Sequence, residues 1–316
     1  MRKKGVFMST LIYILTNILL PVFIQAGIGF TMQKKFMLDI KSLVKVHIFV
    51  FLPSLMFYNI YYNKLSGTVI FNIVVFVAGL FAILLMLSTI VSKLFKLEKT
   101  REKAFVNACA LINEGNYGIP LITLLYAGAQ VDYAVSIQMT VVLTTSLLIN
   151  TIGLYNASSG SYSGIEAFKN VFRLPLVYVI IAGFLLRGFS IEIWPPVISA
   201  IEFMSKAVVP MALFILGAQL ANTEIKVTNR MVYLADAMRL LISPIIAFFL
   251  VKLLGLEGIL AQILIIGAAF PGAVNGVVLS IEFDGDYHFA SQAVFQTTLL
   301  SAVTVTSIIA LVLRFV

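Results

Sequence analysis

Long apolar stretches alternate with short polar segments along almost the whole chain. A helix that crosses the hydrocarbon core of a bilayer needs about 20 mostly apolar residues. Ten stretches meet this requirement, and we predict a helix for each, at roughly 6–30, 43–62, 68–92, 104–126, 132–155, 173–190, 195–221, 230–253, 258–281 and 288–314. The sixth is the weakest, because Arg173 and Arg187 bracket a short apolar run.

The first stretch follows Met1-Arg2-Lys3-Lys4 and in this respect is similar to a secretory signal. However, the run from Val6 to Gln33 contains no charge. It is longer than the apolar core of a signal peptide, which has about 7–15 residues, and no small-x-small cleavage site is obvious. We therefore predict a first membrane span rather than a cleaved leader.

The fourth stretch is interrupted by Asn113-Glu-Gly-Asn-Tyr-Gly-Ile-Pro120, which places several polar and helix-breaking residues at its middle. Pro120 lacks a backbone N–H and clashes with the carbonyl four residues back, so the helix is expected to break. In hydrocarbon, freed backbone groups are tolerated only where protein or a water-filled cavity satisfies them. The interruption therefore predicts a binding site.

Three short motifs recur in the second half of the chain at nearly one offset. Leu20-Pro21 with Gly29-Phe30 recurs as Leu174-Pro175 with Gly183-Phe184, at an offset of 154 residues. Pro53–Phe57 recurs as Pro210–Phe214 at an offset of 157, and Pro120 recurs as Pro271 at an offset of 151. Because five spans is an odd number, the second copy enters the membrane from the opposite side, as in many secondary transporters. We predict an all-α polytopic membrane protein of ten helices in two inverted five-helix repeats, at 1–155 and 173–316, joined by a cytosolic Gly/Ser-rich linker at 156–172.

The ninth stretch carries the same residue types at its middle, in Pro271-Gly-Ala-Val-Asn275. Proline is favoured at the first position of a helix, so we expect Pro120 and Pro271 each to begin a second half-helix. Two such N-termini present unpaired N–H groups and positive dipole ends, which form an anion site without Lys or Arg. We predict a substrate site formed by Asn113, Asn116, Gly118, Pro120, Pro271 and Asn275.

A simpler explanation is that proline kinks both helices and that the Asn side chains only satisfy backbone groups. The occurrence of the same features in both halves favours a functional site. Gly272 and Gly276 have the spacing of a helix-dimerisation motif. Contact between the two interrupted helices is the alternative that we favour.

Composition agrees with a membrane protein, since 60% of the 316 residues are hydrophobic and only 11% are charged, and the mean hydropathy is +1.03. The net charge of +8 reflects topology rather than nucleic-acid binding, because the basic residues lie in short loops. With both termini outside the cell, thirteen Lys and Arg fall inside and seven outside, which favours this orientation. A single Cys excludes a disulfide framework, and the two His, far apart in sequence, do not suggest a metal site.

Several charged residues fall inside predicted spans. Glu114 adds an acid beside the predicted anion site, where it is either a proton-coupling group or a solvated acid facing a cavity. Asp236 and Arg239, three residues apart on one helical face, are expected to neutralise each other, with a role in the substrate path as the alternative. Glu202 and Lys206 are spaced for an interfacial pair.

The segment Asn113–Pro120 resembles the Asn-x-Gly-x-x-Gly-x-Pro signature of the auxin efflux carrier family, and Pro210–Gly217 and Pro271–Asn275 are also similar to that family. The resemblance covers essentially the whole chain. It implies that the fourth and ninth helices cross as broken helices, as in NhaA and bile-acid symporters, with spans one, two, six and seven as a scaffold beside a mobile core. It implies carriage of organic anions, including auxin in plants and dicarboxylates in bacterial members. The short central loop fits a prokaryotic protein better than many plant members.

We therefore expect a secondary transporter that moves a small organic anion, a carboxylate such as malate, malonate or an auxin-like acid, across the plasma membrane by alternating access. A passive anion channel and a sodium- or proton-coupled symporter of related fold are the alternatives. An enzyme is not expected, because no nucleophile motif, Asp pair, His cluster or ATP-binding loop occurs. The expected partners are the anion, the lipid bilayer and a coupling proton or sodium ion, with a homodimer implied by the family resemblance alone. No cofactor, metal or nucleic acid is expected.

Overall fold

The computed structural model describes residues 12–62, 65–126, 128–157, 175–222 and 230–316, which are helical almost throughout. Its helices of seven residues or more are, in chain order, α1 (Ile14–Phe36), α2 (Ile40–Tyr62), α3 (Gly67–Leu94), α4 (Lys99–Ala110), α5 (Ile119–Leu125), α6 (Val131–Gly153), α7 (Pro175–Gly188), α8 (Pro195–Ala221), α9 (Arg230–Leu253), α10 (Gly258–Gly267), α11 (Asn275–Glu282) and α12 (Tyr287–Phe315). A single bridge, between Ile112 and Gly272, is the β-type pairing found within these ranges. The described part of the protein is therefore all-α.

Seven of these helices are long and apolar enough to cross a membrane, namely α1, α2, α3, α6, α8, α9 and α12. They contain 23 to 29 residues, which corresponds to roughly 35–43 Å at 1.5 Å per residue. Each is longer than the hydrocarbon core of a bilayer. The protein is an integral, polytopic membrane protein, as the apolar pattern predicts. Helices α7 and α10 are apolar but shorter.

The fourth and ninth apolar stretches do not form continuous helices. The fourth consists of α4, a non-helical segment at 111–113, a π-helical turn at Glu114–Gly118 and then α5. The ninth consists of α10 and α11, separated by residues 268–274. Both interruptions fall where the sequence places Asn, Gly and Pro inside an apolar run.

Polar side chains cap the starts of several helices. Asp39, Ser66 and Asp286 precede α2, α3 and α12, and each accepts hydrogen bonds from backbone N–H groups of the first turn. The Ser42 hydroxyl also donates to the Asp39 carboxylate, and this hydrogen bond lowers the pKa of that carboxyl. These caps satisfy backbone donors where the chain re-enters a helix.

The end of α1 differs from its prediction, because the helix continues past residue 30 to Phe36. The polar residue Gln33 is buried and its side chain donates to Asn222, just after α8, at 3.3 Å. The helix ends only at Met37, which adopts a left-handed conformation. Gln33 does not end the helix here, because its side-chain amide finds a partner directly after the neighbouring helix α8. Most of the linker predicted at 156–172, from residue 158 onward, lies outside the described residues, as do residues 1–11.

The helices pack in two groups. Helix α1 lies along α8, and α2 packs against α7 and α8. Helices α3, α6, α9 and α12 surround the two interrupted stretches. The largest cluster of buried apolar side chains, which includes Leu111, Tyr117 and Phe270, lies around these interruptions. The interrupted segments are therefore enclosed by protein rather than exposed to lipid, which their unpaired backbone groups require.

Glycine allows the backbones of α1 and α8 to touch. A Cβ added at Gly217 would lie 1.7 Å from the carbonyl oxygen of Ala26, and one at Gly29 would lie 2.1 Å from the carbonyl oxygen of Phe214. No side chain can occupy either space unless the helices separate. Small residues permit this kind of close contact between membrane helices.

The variant Gly217→Ala is expected to destabilise the protein, because its Cβ would force α1 and α8 apart. Overpacking of this kind costs about 1–3 kcal/mol, and occasionally more. Thermal unfolding in detergent measures the effect. Gly27→Ala is the matched control in α1, since its Cβ would meet nothing within 4 Å. The control should unfold at the wild-type temperature or above it, because Ala favours a helix over Gly. Equal unfolding temperatures for the two variants would contradict the close contact.

Candidate functional site

The two interrupted stretches cross each other through backbone hydrogen bonds. The Asn113 N–H donates to the carbonyl oxygen of Pro271 at 3.0 Å, and the Ala273 N–H donates to that of Leu111 at 2.9 Å. Gly272, opposite Ile112 in this antiparallel pairing, donates its N–H to the Thr297 hydroxyl at 3.1 Å. Each interruption thus supplies partners for backbone groups that the other has freed.

The two prolines do not occupy equivalent positions in this crossing. Pro120 lies in the first turn of α5, although the π-helical turn at Glu114–Gly118 already begins the second half of that stretch. Pro271 lies in the extended segment, and helix α11 begins only at Asn275. The prediction that each proline begins a half-helix is therefore wrong for both, because Pro120 follows a helical turn that already begins at Glu114, and Pro271 lies in the segment before α11. For Pro271 the physical reason is that the crossing uses its carbonyl as an acceptor and needs no N–H at that position.

A cavity of about 170 Å³ lies against the crossing. The interrupted stretches contribute five polar or glycine residues to the cavity wall, namely Asn113, Glu114, Gly115, Asn116 and Asn275. Helices α2, α6 and α8 contribute the other polar residues, namely His47, Thr145, Ser146, Asn150 and Gln219. Asn113, Asn116 and Asn275, three of the six predicted site residues, therefore meet at one cavity together with Glu114. The other three lie outside the lining.

Gly118, Pro120 and Pro271 shape the backbone beside the cavity instead of lining it. All three are buried. A Cβ at Gly118 would lie 2.6 Å from the Gln138 amide nitrogen and 2.6 Å from a ring carbon of Phe270. Gly118 therefore permits the first interrupted stretch to pack closely on the second and on α6. Its contribution to a ligand site is indirect.

Three polar atoms of the lining residues are buried without a hydrogen-bond partner. These are the side-chain amide nitrogen of Asn113, the side-chain oxygen of Gln219 and Nδ1 of His47. Buried polar groups in native proteins are nearly always paired, with protein or with water. The unpaired atoms therefore belong to residues of one cavity wall.

Two helical N-termini also meet the cavity. Gly115 and Asn116 belong to the first turn after the first interruption, and Val274 and Asn275 form the start of α11. The first N–H groups of a helix have no partner within it, and they carry the positive end of its dipole. The arrangement favours a negatively charged group in the cavity.

Glu114 is the acidic residue in the wall of this cavity. Its side chain is buried. The side-chain amide of Gln138 donates to the Glu114 carboxylate at 2.8 Å and to the backbone carbonyl oxygen of Glu114 at 3.0 Å. The carboxylate packs against Gly267, where an added Cβ would lie 3.3 Å from it. An ionised Glu114 would repel a bound anion, so protonation of this group and anion binding are physically connected.

Arg239 is fully buried and contacts the ends of both first half-helices. Its guanidinium donates to the carbonyl oxygen of Cys109 in the last turn of α4, at 2.9 Å, and to that of Ala268 directly after α10. It also donates to the Ser243 hydroxyl. A positive charge here neutralises the negative ends of two helix dipoles inside the protein. Arg239 therefore stabilises the crossing from the side opposite to the two N-termini.

The predicted neutralisation of Asp236 by Arg239 is wrong. The Arg239 guanidinium turns to backbone carbonyls, and both carboxylate oxygens of Asp236 are buried without a hydrogen-bond partner. Helical spacing brings two side chains to one face but does not decide which acceptors a long side chain reaches. The other predicted pair is confirmed, because Lys206 contacts Glu202 at 2.7 Å on an exposed surface.

Comparison with known proteins decides the family. A family model described as "Membrane transport protein" matches residues 14–309. The chain belongs to this family, the auxin efflux carriers. An uncharacterized transporter of Methanothermobacter thermautotrophicus is 25% identical over 301 residues, which is 92% of this chain and 95% of that protein. An uncharacterized transporter of Methanocaldococcus jannaschii is 23% identical over 84% of this chain and 87% of its own length. A Rhizobium meliloti protein named "Putative malonate transporter" is 29% identical over 44% of this chain and 43% of its own.

The cavity wall of this family member includes residues that the sequence motifs did not reveal. The sequence raises His47 only as a metal ligand, and Thr145 and Asn150 belong to no motif. Gln219 is one of several polar residues inside apolar spans, and the sequence cannot choose among them. The signal in the sequence was a polar residue inside an apolar span. The cavity identifies which of these polar residues lie together, namely His47, Thr145, Asn150 and Gln219.

Proposed function

We propose that this member of the family is a secondary transporter that moves a small organic anion across the plasma membrane by alternating access. The observation that carries the proposal is the crossing cavity, where two helix N-termini meet the unpaired amide of Asn113. Asn116 and Asn275 supply further amide donors, and Gly118, Pro120 and Pro271 hold the backbone in place. A carboxylate suits such a site, because it accepts several hydrogen bonds and its charge is stabilised by dipole ends.

We further propose the ten-helix arrangement of two inverted five-helix repeats, at 1–155 and 173–316. One pair of contacts supports it. Gly29 of the first repeat packs on the backbone of Phe214 of the second, while Gly183 of the second packs on Ile60 of the first, with Phe57 in ordinary contact distance. The sequence repeat matches Gly29 with Gly183 and Phe57 with Phe214. A two-fold relation between the repeats would exchange contacts of this kind.

The position of the cavity supports an inward-facing state. Its lining residues lie in the first half of α2 and in the second halves of α6 and α8. These ends adjoin the segments at 37–39, 154–174 and 222–229, which the distribution of Lys and Arg assigns to the cytosol. Both termini then lie outside. On the other side of the crossing, Tyr117 and Phe270 are fully buried and pack together, so the site is closed there.

The substrate class is a carboxylate. The name of the Rhizobium relative points to malonate. A passive anion channel is the alternative function. It needs no closed face, and its flux would not show exchange between labelled and unlabelled substrate.

Transport in proteoliposomes tests the proposal. Purified protein should take up radiolabelled malonate or malate with saturation, and unlabelled substrate inside the vesicles should accelerate uptake by counterflow. Runs with and without pH and sodium gradients identify the coupling ion. Linear flux without counterflow would indicate a channel. The absence of flux with a panel of mono- and dicarboxylates would refute the carboxylate assignment.

The variant Glu114→Gln is expected to abolish the pH dependence of transport while leaving substrate binding intact. The amide mimics a protonated carboxyl and removes the negative charge from the cavity wall, so binding no longer requires a proton. Initial rates between pH 5 and pH 8 measure the effect. Glu257→Gln, an exposed carboxylate before α10, is the matched control. A pH profile of Glu114→Gln that follows the wild-type profile would exclude Glu114 as the coupling residue.

A further inference from the structure

A second cavity, of about 70 Å³, lies between the end of α2, the start of α6 and the end of α7, and we call it the outer pocket. Its polar lining residues are Asn59, Ser136, Thr140 and Arg187. The adjoining helix ends lead into the segments at 63–66, 127–130 and 189–194, which the proposed orientation places outside the cell. The outer pocket and the crossing cavity therefore lie toward opposite faces of the membrane.

One cluster of apolar side chains separates the outer pocket from the crossing cavity. Leu52 and Val142 line the crossing cavity, whereas Met56 and Met139 line the outer pocket. All four side chains are buried and belong to the same packed cluster. On each helix the two residues are three or four positions apart, so the barrier is about one helical turn thick. Both cavities thus lie on one path between α2 and α6.

The outer pocket has a counterpart at positions that the sequence repeat relates to its own. This counterpart is an apolar cavity between α1, α8 and α12. Seven of its lining residues match seven of the outer pocket, at offsets of 154, 157 and 159 residues for the three pairs of helices: Ala26 and Phe30 with Ile180 and Phe184, Leu216 and Gly217 with Asn59 and Ile60, and Phe295, Thr298 and Leu299 with Ser136, Met139 and Thr140. Differences between the two pockets therefore identify what is particular to each.

The two matched pockets differ in chemistry. Three polar residues of the outer pocket stand where the counterpart has large apolar ones, namely Asn59 against Leu216, Ser136 against Phe295 and Thr140 against Leu299. The reverse exchange, Met139 against Thr298, occurs once. Arg187 adds a positive charge to the outer pocket, whereas the described lining of the counterpart contains no charged residue. Polar and charged residues within membrane spans are costly and mark substrate paths.

The guanidinium of Arg187 is held at the wall of the outer pocket. It donates to the carbonyl oxygen of Ile60, itself a lining residue, at 3.5 Å. Among the residues that the structure describes, no Asp or Glu lines this pocket, and Asp132 lies one turn before Ser136 outside the lining. A planar guanidinium matches the geometry of a carboxylate. The volume is several times the roughly 10–15 Å³ that one water needs, so a carboxylate group has room beside Arg187.

We propose that the outer pocket is a second binding site for the transported anion, in which Arg187 holds a carboxylate on the extracellular side of the apolar barrier. The inference rests on the proposed transport function and its orientation. An anion from outside would occupy this site first, and separation of α2 from α6 at the barrier would open its path to the crossing.

Equilibrium binding of radiolabelled malonate to the purified protein in detergent tests the proposal. The wild type should bind two malonate molecules per chain at saturation. Arg187→Gln should bind one, since the lost hydrogen bond to a charged group, worth about 1.5–3 kcal/mol, weakens the second site about 10- to 100-fold. The double variant Asn113→Ala with Asn275→Ala should also bind one, at the outer pocket. Arg314→Gln, an exposed residue at the end of α12, is the matched control and should bind two.

The possible results separate this site from the function on which it rests. Saturation at one malonate per wild-type chain, in a protein that transports malonate, overturns the outer site whether or not the variant folds, and transport at the crossing stands. Two malonate molecules in Arg187→Gln, bound as tightly as in the wild type, overturn the role of Arg187. If the protein neither binds nor transports any carboxylate, the proposed function fails and this inference with it.

Discussion

Replacement of Arg239 by Met is expected to lower the free energy of unfolding by about 3–5 kcal/mol, comparable to breaking a buried ion pair. The guanidinium is fully buried and donates to the carbonyl oxygens of Cys109 and Ala268 and to the Ser243 hydroxyl. Met fills much of the same space but donates nothing. The negative ends of α4 and α10 would then lie close together without a compensating charge. Thermal unfolding of the purified protein in detergent measures the loss.

Two further variants make this result interpretable. Arg314→Met applies the same substitution to an exposed residue at the end of α12, and it should leave stability nearly unchanged. Arg239→Lys should give an intermediate loss, because Lys retains the charge but not the planar fork that reaches several acceptors. If Arg239→Met unfolds at the same temperature as Arg314→Met, the guanidinium does not hold the crossing together.

The variant Asn113→Ala is expected to reduce kcat/KM for the transported anion about 10- to 100-fold, while the protein remains as stable as the wild type. The affinity loss follows from removing a donor to a charged ligand, worth about 1.5–3 kcal/mol. Stability is retained because the amide nitrogen of Asn113 is buried without a protein partner. Its removal leaves no acceptor unsatisfied. Uptake kinetics and thermal unfolding together distinguish a ligand contact from a structural role.

The companion variant Asn275→Ala should give the same pattern, since Asn275 lines the cavity at the start of α11. Asn72→Ala, in α3 and outside the cavity lining, is the matched control and should transport normally. Wild-type kinetics in both Asn113→Ala and Asn275→Ala, for a substrate that the wild type transports, would refute a ligand site at the crossing.

The sequence was most informative where polar residues interrupt apolar runs. Asn, Gly and Pro are unusual at the middle of a membrane span, so a break in each of the two stretches was predictable. The position of the first break, at 111–113, was not, because the helix that begins at Glu114 continues through Pro120. The same residues carry the family signature, which is why membership could be predicted before any comparison. The meeting of Asn113 with Asn275 at one cavity agrees with that expectation, although their role in binding stays a prediction.

Other features depend on contacts that no sequence spacing encodes. The helix after Pro271 begins at Asn275 because the crossing needs an extended segment. Arg239 turns away from Asp236 because carbonyls of two other helices lie within its reach. His47 faces the crossing only through the packing of α2 against its neighbours. In each case the contacting residue lies more than 100 residues away in sequence, or it lies in a segment whose backbone conformation the sequence pattern does not predict.

The hydrogen bonds between Leu111–Asn113 and Pro271–Ala273 have a mechanical consequence. They join the middles of both interrupted stretches, and Arg239 joins the ends of α4 and α10, so the four half-helices form one connected body. Gly29 packs on Phe214 and Gly217 packs on Ala26, and these contacts join α1 and α8 in a second body. The cavity lies where the two bodies face each other. In the alternating access proposed above, an anion held at the crossing would travel with the first body, and the surface along α2 and α8 would control its release.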